Sequence, residues 1–221
     1  MENKFDVCIV GGLGHIGLPL GIVFASKGLR VCLQDINEKS ARLVKKGILP
    51  FIEYDAEPLL KNALDNGNLS VSLDPNSISE AKYIIIAIGT PVDEYMNSGT
   101  REFLEFIDSL KKYLKPEQVI IIRSSVAPNT CEQIMRTLGT QENWKLAYCP
   151  ERIVQGYAIK ELEKLPQIIA GFSDEAVDES SKLFKTISSS IIVTTMAEAE
   201  LVKLFANSSL ILLISLAIIY Y

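Results

Sequence analysis

Apolar positions along the 221-residue chain follow two rhythms that take turns. Short runs rich in β-branched residues, at Phe5–Val10, Arg30–Gln34, Leu69–Leu73, Tyr83–Ile88, Val119–Ile122, Lys145–Tyr148, Gln167–Ala170 and Ile191–Val193, predict strands. Longer amphipathic stretches predict helices near Ile16–Ser26, Glu38–Lys46, Ala56–Asn66, Arg101–Tyr113, Thr130–Leu138, Glu175–Lys185 and from Glu198 onward. Nearly continuous apolar strands belong in a sheet covered on both faces. The alternation predicts an α/β fold: a Rossmann-like, doubly wound, mostly parallel sheet, followed by the start of a long helix.

Local punctuation agrees. Asp74-Pro75 closes the third strand, and Pro116 separates a helix from the strand at Val119. Pro128 falls where a first helical turn tolerates a missing N–H. Gly67 and Gly139 follow helical stretches, as left-handed caps do.

The last thirteen residues, Ser209–Tyr221 ("SLILLISLAIIYY"), carry no charge. A membrane-spanning helix needs about 20 apolar residues, so a buried helix or an artificial terminus is the expectation here, ahead of a membrane anchor. Hydrophobic residues make up 48% of the chain, enough for a sizeable core. The net charge is -5 and the lysines are scattered, so there is no basic stripe for a nucleic-acid backbone. Cys8, Cys32, Cys131 and Cys149 form no CxxC and share the chain with one histidine, so no zinc signature arises. Buried thiols in a reducing compartment are expected instead. The first strand begins by Phe5, which leaves no room for a signal peptide, and a cytoplasmic location is the default.

Candidate chemistry begins in "FDVCIVGGLGHIGLPLGIVFASKGLRVCLQDIN". Gly12-Leu13-Gly14-His15-Ile16-Gly17 fits G-x-G-x-x-G between a strand and a helix. In this pattern Gly12 is expected to make the tight turn and Gly14 to let the backbone approach a pyrophosphate. Gly17 is expected to let the helix pack closely on the sheet. Open amides at the helix start then face the phosphates, with His15 and Ile16 in the same loop. Asp35 ends the second strand, where a carboxylate accepts ribose hydroxyls and repels the extra phosphate of NADP. NAD is the preferred ligand, and a flavin dinucleotide is the alternative. His15, the single histidine, reads as a loop residue against the pyrophosphate, too far from a substrate to be a base.

Two further strand ends carry polar residues. Gly89-Thr90-Pro91 follows "YIIIAI", and Arg123-Ser124-Ser125-Val126 includes the residues after "VIII". Ligands bind beyond the carboxyl ends of parallel strands. Ligand contact and simple helix-start chemistry both remain open for these residues.

Seven ordered motifs give the chain a family likeness: "GLGHIGLP", Asp35, "GTP", "RSSVAP", "CPERIVQG", "LPQIIAG" and "AEAELVKLFANS". From about Phe5 to Asn207 it resembles the amino-terminal part of the nucleotide-sugar 6-dehydrogenases, the UDP-glucose/GDP-mannose dehydrogenase superfamily. The resemblance implies an NAD-dependent, two-step oxidation of the C6 hydroxymethyl of a UDP-sugar to a carboxylate, through an aldehyde and a thioester. Its wording lies nearer the UDP-N-acetylhexosamine branch than UDP-glucose. It implies an NAD-binding domain over 1–195 and the start of a central dimerisation helix over 196–221, with a homodimer or higher association.

The same resemblance assigns catalytic roles to Ser125, Glu151, Lys203 and Asn207. Glu151 would handle water or a proton, while Lys203 and Asn207, one helical turn apart, would stabilise developing charge on oxygen. It also places cofactor contacts at Gly89, Thr90, Pro91, Arg123 and Ser124. Gln155, where some relatives carry an acidic residue, receives no role.

Two departures stand out. The family's nucleophilic cysteine lies in a segment this chain lacks, along with the carboxy-terminal UDP-sugar-binding domain, and Cys149 before Pro150-Glu151 is no substitute. The uncharged tail replaces the family's mixed helix. The expectation is therefore the cofactor half of such an enzyme, inactive alone. The alternatives are a non-catalytic NAD-binding module or subunit, and a 3-hydroxyacid or hydroxyacyl-type Rossmann dehydrogenase.

Overall fold

Alternation along the first strand divides the core in two. Val7 and Ile9 join a buried cluster with Leu33, Ile85 and Ile121, while Cys8 and Val10 join another with Cys32, Ile84, Ile86 and Ile120. Residues i and i+2 share a face of a strand, so each apolar run feeds both clusters at once. The computed structural model describes residues 3–90, 99–139 and 143–205.

Eight strands form a single sheet: β1 (Phe5–Val10), β2 (Val31–Gln34), β3 (Leu69–Ser72), β4 (Ala81–Ile86), β5 (Val119–Ile122), β6 (Lys145–Tyr148), β7 (Gln167–Gly171) and β8 (Ile191–Val193). Their order is β3-β2-β1-β4-β5-β6-β7-β8. The six strands from β3 to β6 are parallel, with Ile9 level with Leu33 on one side and Ile85 on the other. β7 is antiparallel to β6, and β8 is parallel to β7. The chain reverses direction across the sheet between β1 and β4, which places the crevice of a doubly wound fold above those two strands.

The helices are α1 (Gly17–Ser26), α2 (Glu38–Val44), α3 (Ala56–Asp65), α4 (Thr100–Leu110), α5 (Thr130–Leu138), α6 (Ala158–Lys164) and α7 (Asp174–Phe184), with a final helix, α8, over residues 196–205. Every residue of α1 from Gly17 to Ala25 is buried, because the sheet lies under it and α3 and α6 flank it. A helix apolar all round is a core element, and each fully buried Leu or Ile in it contributes about 1.5–3 kcal/mol. Asn37 caps α2 by accepting Ser40 N–H, and Ser173 caps α7 by accepting Ala176 N–H.

The eight strands and seven helices anticipated from the sequence are present, several with shifted ends. β4 starts at Ala81 and ends at Ile86, since Ile88 leaves the ladder to accept the Ser124 hydroxyl at 2.7 Å. The helix expected to reach Tyr113 closes at Leu110 and tightens into a 3₁₀ turn, Lys111–Tyr113. α6 is an addition, as is the 3₁₀ helix Pro75–Glu80, which Asp74 caps through Asn76 N–H. All four cysteines are free and buried, and Cys8 is the ladder partner of Cys32. The uncharged tail, 209–221, lies outside the described residues. Among the described residues no helix is long and apolar enough to cross a membrane.

Candidate functional site

The loop between β1 and α1 is shaped by glycines with separate tasks. The left-handed turn falls on Gly11, at φ 78°, rather than on Gly12 as the motif suggested. Gly12 instead allows close approach of β2: a Cβ there would lie 2.8 Å from the Leu33 Cα and 2.8 Å from the Ile9 carbonyl. At Gly17 a Cβ would collide with the Gly11 carbonyl oxygen and lie 2.8 Å from the Gly12 Cα, so α1 starts pressed against the loop. Gly14 differs from these. Its nearest neighbour would be the Gly11 oxygen at 3.5 Å, an ordinary contact, so no protein atom demands a glycine there. Its outer face is open to a ligand.

α1 begins with no side-chain cap, although Leu18 N–H donates to the Gly14 carbonyl at 3.0 Å. Ile16 at its N-cap offers no side-chain acceptor, and no acidic residue lies in its first turn. Open amides and the positive end of a helix together form an anion site. His15 is exposed beside this start, with its ring centre 4.0 Å from that of Phe51 and the two planes tilted by 33°.

Asp35 closes the other side of the loop. Its Oδ2 accepts Leu13 N–H at 2.9 Å, and its Oδ1 accepts Ile36 and Asn37 N–H at 2.8 and 3.0 Å. The carboxylate is half-buried and ties β2 to the glycine loop. Two carboxylate oxygens offer about four acceptor positions, so three internal bonds leave capacity for a hydroxyl donor.

Beyond β4 and β5 two loops are stitched together. Thr90 Oγ1 donates to the Ser125 carbonyl at 2.6 Å, and Ser124 Oγ donates to the Ile88 carbonyl at 2.7 Å. Ser125 is half-buried, and Gly89 is exposed with open space where a Cβ would stand. A cavity of about 280 Å³ opens beside Thr90 and Ser125, walled by Phe103, Val126, Thr130 and Leu204.

Arg123 and Glu151 form a buried pair under these loops, with side chains 0% and 5% exposed. Arg123 Nε donates to Glu151 Oε2 at 2.8 Å, and Nη2 donates to the same oxygen. Nη1 donates to the Cys149 carbonyl at 3.0 Å, and the guanidinium lies 4.9 Å from the Phe184 ring centre. The other Glu151 oxygen accepts Arg152 and Ile153 N–H at 2.7 and 3.0 Å. Arg123 is thus placed as a brace between β5, β6 and α7, and not on the crevice surface where a cofactor contact was expected. Glu151 has four donors in place, a structural task that the sequence does not reveal.

Lys203 on α8 is half-buried. Burial lowers its ammonium pKa from the ordinary lysine range, the nearby Glu151 charge opposes that shift, and Arg123 and Arg152 add to it. The structure therefore brings Lys203 into the field of the Arg123–Glu151 pair. Cys149 is fully buried beside the pair, and burial pushes its thiol up to about 12. Such a thiol is not a nucleophile at neutral pH. Pro91 and Asn207 lie outside the described residues.

Some participants had no separate signal in the sequence. Segment 47–55 runs from the glycine loop, through Phe51 on His15, to the loop after β6. There Tyr54 N–H donates to the Gly156 carbonyl at 2.9 Å, and Gly156 N–H donates to Glu53 Oε2 at 3.1 Å. Glu200 on α8, which accepts two amides at the start of α5, is another. The glycine loop, the uncapped start of α1, the open face of Gly14 and the spare capacity of Asp35 together fit a dinucleotide. No group of three or more metal-ligating side chains occurs among the described residues.

Comparison with known proteins agrees with this geometry. Residues 5–188 match the NAD-binding domain of the UDP-glucose/GDP-mannose dehydrogenase family. A UDP-N-acetyl-D-mannosamine dehydrogenase from Methanocaldococcus jannaschii is 32% identical over 213 residues, covering 91% of this chain and 47% of that protein. The solved UDP-D-ManNAc dehydrogenase of Pyrococcus horikoshii superposes with a TM-score of 0.84 at 29% identity, over 91% of this chain and 50% of that one. A UDP-N-acetyl-mannosamine dehydrogenase from Staphylococcus aureus gives 0.82 at 30% identity, over 92% and 51%. The chain spans about half the length of the curated relatives it matches.

Proposed function

The chain belongs to the UDP-glucose/GDP-mannose dehydrogenase family, whose NAD-binding domain it carries, and we propose that the whole protein oxidises the C6 hydroxymethyl of a UDP-N-acetylhexosamine to the carboxylate. The pairing of the dinucleotide loop with a half-buried ammonium, Lys203, in the field of Glu151 supports the dehydrogenase part of this reading, and the similarity to UDP-N-acetyl-D-mannosamine dehydrogenases supports the sugar. NAD supplies the hydride acceptor when bound.

The chain's own residues divide the remaining work. Gly12, Gly14 and Gly17 shape the loop, His15 and Ile16 flank the first turn of α1, and Asp35 accepts ribose hydroxyls. Gly89, Thr90, Ser124 and Ser125 border the reacting end, where the Ser125 hydroxyl orients the alcohol. Lys203, together with Asn207 four positions on in the sequence, stabilises negative charge on the substrate oxygen. Glu151, held by four donors, acts by fixed charge and by orienting the loop around it. Residues 1–195 form the cofactor domain in this reading, and 196–221 lead into a helix that joins two copies in the cytoplasm.

Calorimetric titration tests the cofactor part: NAD+ is expected to bind at one site, more tightly than NADP+. Formation of NADH by the whole protein with UDP-N-acetylmannosamine, but not with UDP-glucose, tests the substrate part. Equal rates with both sugars would sink the branch assignment, and absence of NAD+ binding would sink the reading altogether.

A further inference from the structure

The last helix is anchored by a buried carboxylate. Glu200 on α8 is 2% exposed. Its Oε2 accepts Asn129 N–H at 2.8 Å, and its Oε1 accepts Cys131 N–H at 3.0 Å. These are opening amides of α5, whose N-cap residue, Asn129, is left-handed at φ 66° and makes no side-chain cap. A helix start without acceptors is costly to bury. Glu200 supplies both the acceptors and a negative charge at the positive end of α5, from about seventy positions further along the chain.

Other contacts of α8 are apolar or internal to the helix: Met196, Ala199 and Val202 pack on the core. Thr195 and Glu198 cap its start reciprocally: Thr195 N–H donates to Glu198 Oε2 at 3.0 Å, and Glu198 N–H donates to Thr195 Oγ1 at 3.3 Å. That box orders the helix without attaching it to anything. Ala199 is buried, but Leu201, Leu204 and Phe205 are 41%, 37% and 66% exposed. Among the described residues, the side-chain hydrogen bonds that tie α8 to the sheet domain are those of Glu200, beside the apolar packing of Met196, Ala199 and Val202. Burial, and then the Glu200 charge, push the neighbouring Cys131 thiol far up, as expected for a carboxylate enclosed with it.

Lys203 lies three positions beyond Glu200, on an adjoining face of the same helix. α5 in turn follows directly on the Ser124–Ser125 loop. One carboxylate thus joins the loop after β5 to the helix bearing the ammonium. We propose that Glu200 is a positioning residue: by capping α5 it fixes α8 so that Lys203 is held beside the Arg123–Glu151 pair. The consequence for catalysis rests on the role given to Lys203 above, whereas the placement does not.

The test reads Lys203 directly. Lysine side chains labelled with carbon-13 are titrated by NMR in the full chain, with the Lys203 signal assigned through Lys203→Arg. In the parent, Lys203 is expected to titrate below the other lysines. In Glu200→Ala it is expected to rise into the common lysine range, with Glu200→Gln intermediate because an amide keeps one acceptor. NAD+ affinity should stay within about twofold in both, since neither the glycine loop nor Asp35 is touched.

A Lys203 titration unchanged in a folded Glu200→Ala chain would overturn the proposal. Should that variant not fold, an unchanged titration in Glu200→Gln does the same, as does an ordinary Lys203 pKa in the parent. Failure of the catalytic reading looks different. Lys203→Met would then leave turnover by the whole protein intact while the Glu200 titrations behaved as expected.

Discussion

Asp35 accepts the backbone N–H of Leu13 at 2.9 Å, across 22 positions of sequence. The carboxylate assigned to the ribose therefore also holds the glycine loop in shape. Asp35→Ala is expected to lose both functions. Removing a hydrogen-bonded partner costs about 1–3 kcal/mol, so NAD+ affinity should fall roughly 5- to 150-fold by calorimetry, with a lower unfolding midpoint. Unchanged affinity would remove Asp35 from the site.

The glycines separate ligand effects from fold effects. Gly14→Ala meets only an ordinary contact at 3.5 Å, so its unfolding free energy should stay within about 0.5 kcal/mol of the parent while NAD+ binding is lost. Gly12→Ala brings a methyl to 2.8 Å from backbone atoms of β1 and β2. It should lose about 1–3 kcal/mol of stability along with binding. If Gly14→Ala kept full affinity, the pyrophosphate would have to lie elsewhere.

Removing Glu151 leaves the Arg123 guanidinium buried without its counter-charge. Glu151→Ala should cost about 3–5 kcal/mol in urea denaturation, more than a purely catalytic carboxylate would. A cost under about 1 kcal/mol would show that the pair does not brace the fold.

Cys149 gives the alkaline limb of stability a direction. Burial raises its thiol from 9.0 to about 12, so the unfolded chain ionises first as pH rises. The contribution is complete below pH 9 and is lost as pH climbs toward 12. Thermal unfolding should move to lower temperature across that window, less steeply in Cys149→Ala. In the native protein at neutral pH, alkylating reagents should leave this thiol unlabelled. Rapid labelling would contradict its burial.

Strands were legible in the sequence where both faces are buried. All four residues of β5, Val119–Ile122, are enclosed, and an unbroken apolar run has no other reading in a chain of this rhythm. α6 was missed because its seven residues offer only Ala158, Ile159 and Leu162 to the core, too few for a helical period to register. Gly11 and Gly12 are adjacent, and only the packing of β2 against the loop decides which takes the turn. Glu198 and Glu200 look alike in "AEAEL". One is an exposed cap of its own helix, and the other an anchor whose partners lie about seventy residues upstream. Likewise, no local pattern shows that Glu151 is saturated by Arg123, because the pair spans two strands.

The early end of β8, after only three residues, decides where the polypeptide emerges from the sheet. Ala170 is level with Tyr148, the last residue of β6, and Val193 is level with Ile169, one rung further out. β8 therefore finishes just beyond the edge where β1, β4 and β5 end, although it travels the other way. A late helix leaving from that rung has only a short distance to cover before it meets the ends of β5 and β6. Because β8 travels toward the opposite rim, its early end at Val193 is what leaves the chain close to the crevice, and a longer strand would have given an ammonium carried so late in the sequence the thickness of the domain to cross.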